Sequence, residues 1–231
     1  MPPLDGPAPA EHFAAQLADA AKVALVGTRH STLLVLELLA SQRVLGGRGE
    51  DDAALRGLVA RLGPQLQPLV EHPDADVRAA AVRLLGPGAD RAALLQALAD
   101  DDERVRSAAL EMLGGTPGKS ALVSTIAGIA RDDVRWWMRQ RAVQALGRLG
   151  APGSVAVLDG VVKGDPFAYV REAAVGALEQ VARAKHCAGG QECARTPAVA
   201  ALRRALRDTE PRVREAAGAA LGRLGVPVST D

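Results

Sequence analysis

The 231-residue chain has 28 basic and 27 acidic side chains, for a formal charge of +1. That balance supplies no bulk field for nucleic acid or an acidic membrane, and neither partner is expected. Hydrophobic residues are 48% and aromatics 2%, so Ala, Leu and Val must fill a core of closely approaching helices. No run approaches the roughly 18 apolar residues of a membrane helix; Leu33 to Ala40 is interrupted by Glu37.

Residues 1–8, rich in Pro and Ala, read as a linker, and the first ten residues lack the basic and apolar segments of an export signal. Residues 9–63 read as N-terminal capping helices or a degenerate repeat. Phe13, Leu17, Ala20, Ala21, Ala24 and Leu25 have helical spacing. A second helix runs from Ser31, a suitable N-cap, to Leu45, and Gly46-Gly47-Arg48-Gly49 ends it. A third opens at Asp51-Asp52, carries Leu55, Leu58, Val59 and Leu62, and is stopped by Gly63.

Residues 64–225 repeat one phrase five times. Its plainest copy is Asp76-Val77-Arg78-Ala79-Ala80-Ala81-Val82-Arg83-Leu84-Leu85-Gly86. The other copies start at Val105-Arg106, Met138-Arg139, Val170-Arg171 and Val213-Arg214. In each, eight residues separate the Arg from a stopping position: Gly86, Gly114, Gly147, Glu179 and Gly222. A short first helix precedes each copy, at 64–71, 89–99, 119–130, 152–162 and 197–206. A turn with Asp, often with Pro, joins the two; Asp is expected at the N-cap and Gly at the left-handed C-terminal position. Glu179 in place of Gly predicts that its helix runs on to about Ala184, into an insertion at 183–196. Residues 226–231 are a short tail.

The Arg spacings are 28, 33, 32 and 43 residues. A helix pair recurring at this period implies a solenoid, because one pair cannot bury its apolar face alone. The predicted fold is all-α, a right-handed α-solenoid of stacked antiparallel helix pairs. The Asp-x-Val-Arg-x-Ala-Ala…Leu-Gly phrase resembles HEAT repeats, in particular the short bacterial type of phycobilin lyases. That family's fold hosts scaffolds, lyase subunits, a hydroxylase and a DNA glycosylase, so the resemblance implies architecture more than activity.

Arg78, Arg106, Arg139, Arg171 and Arg214 form one column. Stacking should set each beside acids of the next turn, with Asp76, Asp102, Asp133, Asp165 and Asp208 as candidates, in a structural ladder of Arg–carboxylate bonds. An anion site is the competing reading. The five aromatics are Phe13, Trp136, Trp137, Phe167 and Tyr169. The residue just before each Val/Met-Arg is Asp76, Arg104, Trp137, Tyr169 or Arg212. Stacking should therefore set Trp137 beside Tyr169, between Arg104 and Arg212. Trp136, Trp137, Tyr169, Arg104 and Arg212 form a candidate partner-binding stripe, since Trp, Tyr and Arg are enriched at binding hot spots. The competing reading places the rings in the core.

Cys187 and Cys193 sit in the insertion, where a disulfide, free thiols and a metal site remain open. A disulfide would contribute at most about 2 kcal/mol and would imply an oxidising compartment. A zinc site would need His186, both Cys and a fourth ligand not found nearby. Gly114 to Ser120 mimics a phosphate loop but has Leu113 where the first Gly belongs, and no strand precedes it. Deoxyhypusine hydroxylase carries His-Glu pairs on HEAT repeats for iron. Here the pairs are reversed, Glu11-His12 and Glu71-His72, so neither metal nor cofactor is expected. His12, His30, His72 and His186 read as surface residues.

The leading expectation is a non-catalytic scaffold or adaptor with another protein as its partner. Outward residues of the second helices (Arg83, Glu111, Gln144, Glu172 and Glu215) would contribute to recognition. The alternative is an enzyme or enzyme subunit resembling a bilin lyase subunit or an alkylbase glycosylase; Trp136, Trp137, Asp132 and Asp133 faintly echo the latter. Self-association through the last repeat is also open. The chain as written reads as cytoplasmic, whereas a disulfide in a longer parent protein would fit export.

Overall fold

The computed structural model describes residues 32, 36, 57, 61–85, 91–113, 119–184 and 194–227. These hold one 3-10 helix, nine α-helices and no strand. The 3-10 helix is Gln67–Glu71, continuous with α-helical residues 61–66. The α-helices are α1 (Ala75–Leu85), α2 (Arg91–Leu98), α3 (Glu103–Met112), α4 (Lys119–Asp132), α5 (Trp136–Leu149), α6 (Ser154–Gly164), α7 (Ala168–Arg183), α8 (Arg195–Ala205) and α9 (Pro211–Arg223). No described helix is long and apolar enough to cross a membrane. The chain divides into two compact units, Met1–Ala109 and Leu110–Asp231, with the boundary inside α3.

In the first unit the 3-10 helix packs on α1. Gly63 does not stop a helix as expected: residues 61–66 are helical through it, and the change to 3-10 comes just before Pro68. Thr32 and Leu36 are helical and buried, as the reading of 31–45 requires.

In the second unit α4–α5, α6–α7 and α8–α9 pack as consecutive pairs. First helices stack as α4–α6–α8, and second helices as α5–α7–α9. The stack is an α-solenoid of helix pairs. Its core is the repeated phrase itself: Met138, Ala142 and Leu146 of α5, Val170, Ala174 and Leu178 of α7, and Val213, Ala217 and Leu221 of α9 are all essentially inaccessible. Each such Val or Leu stabilises by about 1.5–3 kcal/mol relative to exposure.

In the third copy the stopping glycine, Gly147, proves to be a packing glycine. α5 runs past Gly147 to Leu149 and closes at Gly150, whose φ of 61° is the left-handed conformation. A Cβ on Gly147 would lie 2.8 Å from both Cα and Cβ of Ala177, so this glycine is what lets α5 and α7 approach. Gly222 is likewise inside α9, and the left-handed residue is Gly225. Gly86 and Gly114 lie outside the described residues. α7 ends at Arg183 with Ala184 as its C-cap, where the Glu179 substitution puts it.

The N-cap expectation holds in the first two copies, where Asp74 and Asp102 stand just before α1 and α3 and accept the N–H of Asp76 and of Arg104 at 2.9 Å, and needs revision in the other three. Arg135, Phe167 and Glu210 cap α5, α7 and α9, and none makes a side-chain cap bond. The aspartates stand two residues earlier. Asp133, Asp165 and Asp208 each accept the backbone N–H of the capping residue at 2.9 Å. These bonds close a local turn that aims the chain into the helix.

Candidate functional site

The arginine column builds a ladder, and it positions the rings. Arg78 donates from Nε and Nη2 to Asp100, both at 2.8 Å. Arg139 does the same to Asp165 at 2.7 and 3.1 Å, and Arg171 to Asp208, both at 2.9 Å. The remaining nitrogen, Nη1, turns back on its own loop. It donates to the carbonyls of His72 and Pro73 from Arg78, Asp100 and Asp101 from Arg106, Asp133 from Arg139, Asp165 from Arg171, and Asp208 and Thr209 from Arg214. One planar group thus satisfies loop carbonyls and ties neighbouring turns.

The acids differ partly from expectation. Asp165 and Asp208 take the predicted places, but Asp100, not Asp102, receives Arg78. Asp76 and Asp102 instead hold Arg104. The reason is register: the ladder acid stands six residues before the Arg of its own copy, and Asp102 stands only four before Arg106. In the first copy that place belongs to His72, whose Nδ1 accepts the Asp74 N–H at 3.0 Å, as the aspartates accept theirs. His72 therefore serves a turn, while Glu71 accepts from Gln96 at 3.4 Å.

Charge follows these contacts. The hydrogen bond from Arg171 holds the Asp208 carboxyl below its ordinary range despite burial. Burial pushes Asp100 up, but the Arg78 bond and a backbone N–H outweigh it, and the net direction is down. Arg104 brings Asp102 down to about 2.

The rings gather around Trp136. Its centroid is 6.0 Å from that of Phe167, nearly parallel at 19°, 5.9 Å from Tyr169, and 6.1 Å from Trp137, nearly perpendicular at 87°. Tyr169 therefore meets Trp136, not Trp137: Trp136 lies on the side of α5 that faces α7. Arg212 lies over Tyr169 at 4.0 Å and donates to Glu172 at 2.8 Å. Arg135 lies 5.8 Å from Trp137 and Arg139 5.5 Å from Phe167. Arg104 belongs to the first unit, held by Asp76 and Asp102.

The cluster is not core. Trp137, Phe167 and Tyr169 are 42%, 44% and 51% exposed, and Val134 is 91% exposed. These four are the exposed large hydrophobics among the described residues, and all sit where α5 and α7 begin. Glu111 with Arg141, and Glu172 with Arg212, form ion pairs between neighbouring second helices. Two of the outward acids are thus engaged within the chain.

Sequence reasoning missed Phe167, Val134 and the part played by Arg139. An alignment on the fourth residue before each Arg gives Asp74, Asp102, Arg135, Phe167 and Glu210, where Phe167 stands out as an apolar N-cap. Asp133 and Asp165, the acids nearest the rings in sequence, are engaged with backbone N–H groups and, for Asp165, with Arg139.

Farther along α7, buried Glu179 receives Arg223 through two bonds at 2.9 and 2.7 Å and Arg183 at 2.9 Å. Arg223 holds its carboxyl below the ordinary range. Cys187, Cys193 and His186 lie outside the described residues, as do His12, His30 and most of the phosphate-loop mimic. Among the described residues no three His, Cys, Asp or Glu converge as metal ligands would.

A family model described as HEAT repeats matches residues 63–122 and 91–179, and one described as a HEAT-like repeat matches residues 168–224. No curated protein matches the chain. Among solved structures, human deoxyhypusine hydroxylase in complex with glycerol is similar at 20% identity and a TM-score of 0.48, over 92% of this chain and 97% of that one.

Proposed function

The chain belongs to the HEAT-repeat family, and on that premise we propose that it is a non-catalytic protein-interaction module. Its recognition surface is the ring cluster at the start of α5 and α7. One observation carries this reading: the exposed large hydrophobics of the described residues fall together on two adjacent turns. Elsewhere among the described residues no large hydrophobic is exposed. Scattered exposed apolar residues are ordinary, whereas a contiguous patch with aromatic and Arg members marks an interaction site. The rings are pre-ordered by one another and by Arg139 and Arg212, so binding forfeits little side-chain entropy. A partner that covers Trp137 and Tyr169 gains their remaining apolar area.

The test is affinity capture from the native organism with the wild-type chain and with a Trp137→Ala/Tyr169→Ala double variant. The variant should lose the specific partner while its helical melt stays nearly unchanged. Retention of the same partner by a folded variant would place recognition elsewhere.

A further inference from the structure

The ring cluster forms two ridges that share one ring. Trp136, half-buried, lies 6.1 Å from Trp137 on its own helix, and 6.0 and 5.9 Å from Phe167 and Tyr169 at the start of α7. Trp137 makes no ring contact with Phe167 or Tyr169, so the exposed rings of α5 and α7 stand apart with Trp136 in contact with each. Neighbouring packed helices lie about 8–10 Å apart. A polyproline II segment repeats every three residues, or about 9 Å. Laid across α5 and α7, such a segment sets residues i and i+3 of one face against successive ridges.

The polar chemistry of the cluster selects the same backbone. The indole N–H of Trp136 and of Trp137 can only donate, and no atom of the described residues accepts either one. Arg212, with its side chain 42% exposed, lies over Tyr169, spends Nε on Glu172 at 2.8 Å and carries further N–H donors. The carboxylates that hold the flanking arginines, Asp165 and Glu172, are occupied by them. The surface therefore asks its partner for acceptors. A proline-rich segment supplies them, because its carbonyls are unpaired within the segment and each proline removes a backbone N–H. An α-helical partner satisfies its own carbonyls. A β-strand brings as many donors as acceptors and needs a sheet edge, and the described residues hold no strand.

Resting on the reading of this cluster as a recognition surface, we infer that the partner presents a proline-rich segment in the polyproline II conformation. It packs across Trp137 and Tyr169 with its carbonyls toward the indole and Arg212 N–H groups. Segment and rings are both ordered before they meet, so little entropy is lost on binding.

Both tryptophans of the chain belong to the cluster, so intrinsic tryptophan emission reports this site directly. Unlabelled, acetylated decaproline, which does not emit, should shift the emission of the full chain saturably. A glycine–serine decamer, with equal backbone length but no fixed conformation, should not. Tyr169→Ala keeps both indoles and should weaken decaproline binding about tenfold, as loss of a hot-spot ring does. Arg203→Gln, at an exposed position on α8, should bind as the wild type does. No saturable shift with decaproline, or an equal shift with the glycine–serine peptide, overturns the proposal without reference to how any variant folds. Undiminished binding to a folded Tyr169→Ala chain, or an equal loss in Arg203→Gln, also overturns it. If decaproline leaves the emission unchanged while the Trp137→Ala/Tyr169→Ala chain still loses its captured partner, the cluster stands as a recognition surface and the proline-rich assignment alone falls.

Discussion

Arg139 grips Asp165 with two hydrogen bonds, and the same guanidinium lies 5.5 Å from the Phe167 ring centre. Asp165 in turn accepts the Phe167 N–H at 2.9 Å. The rung that ties α5 to the next turn and the base of the exposed ring cluster are therefore one structure. Stability and recognition should be coupled through it.

Removing Arg139 tests that coupling. The pair is nearly inaccessible, with side-chain exposures of 8% and 5%. Breaking it leaves a buried carboxylate without its cation, which typically costs about 3–5 kcal/mol. Arg139→Ala should fall in that range by urea denaturation. Arg139→Lys should recover only part of it, because an ammonium cannot engage both oxygens and the Asp133 carbonyl together. Tryptophan emission should shift in both variants as the Phe167 turn loosens beside Trp136. Arg104→Ala, at an exposed pair, should leave the melt almost unchanged.

The repeat is legible in the sequence because its physics is local and periodic. Val-Arg, Ala-Ala and Leu at fixed offsets specify one buried helix face, and five copies in register specify a stack. The ladder is legible as a column, but its acid partner in the second copy is not. Asp100, Asp101 and Asp102 are consecutive, and only turn geometry shows which one reaches Arg78. The glycine column is equally visible, yet the role of Gly147 is not the one its position suggests. A helix stop and a close-packed helix crossing both call for glycine, and the distinction rests on the neighbour, Ala177. The ring stripe emerges from alignment, but Trp136 and Trp137 are adjacent in sequence and point about 100° apart on a helix. Which of them turns toward α7 is a matter of packing.

The two roles of glycine can be separated. Gly147→Ala places a methyl 2.8 Å from the Ala177 backbone and must push α5 and α7 apart. It should destabilise by about 1–3 kcal/mol, the usual cost of overpacking. At Gly160, inside α6, an added Cβ would meet nothing within 4 Å. Gly160→Ala should therefore stabilise by about 0.5–1 kcal/mol through helix propensity alone. Denaturation midpoints that move in the same direction would refute the distinction.

Trp136 and Trp137 should likewise part company. Trp136 contacts three rings and is only half-buried. Aromatic pairs contribute about 0.5–1.5 kcal/mol each beyond area, so Trp136→Ala should cost more than about 1 kcal/mol. Trp137→Ala removes one edge contact from an exposed position and should leave the denaturation midpoint nearly in place. Equal losses would mean that Trp137 is structural.

Glu179 provides the sharpest pH dependence. Two bonds from Arg223 hold its folded-state pKa below the ordinary glutamate value of about 4.3. Asp208 and Asp100 are shifted in the same direction, and Asp102 titrates at about 2. For a depressed carboxyl, the unfolded chain takes up its proton first as pH falls. The stabilisation is therefore complete above the unfolded value, about pH 5 and upward, and declines as pH drops through the folded value. Unfolding free energy should be level from about pH 7 to 5 and fall steadily below about pH 4, the more so toward about pH 2. Glu179→Gln should be less stable than the wild type at neutral pH, and the gap should close as the wild-type carboxyl becomes protonated. Paired urea titrations at neutral pH and in acid measure this directly. A gap that stayed constant with pH would show that the shape of Glu179, rather than its charge, holds Arg223 and Arg183 at the end of α7.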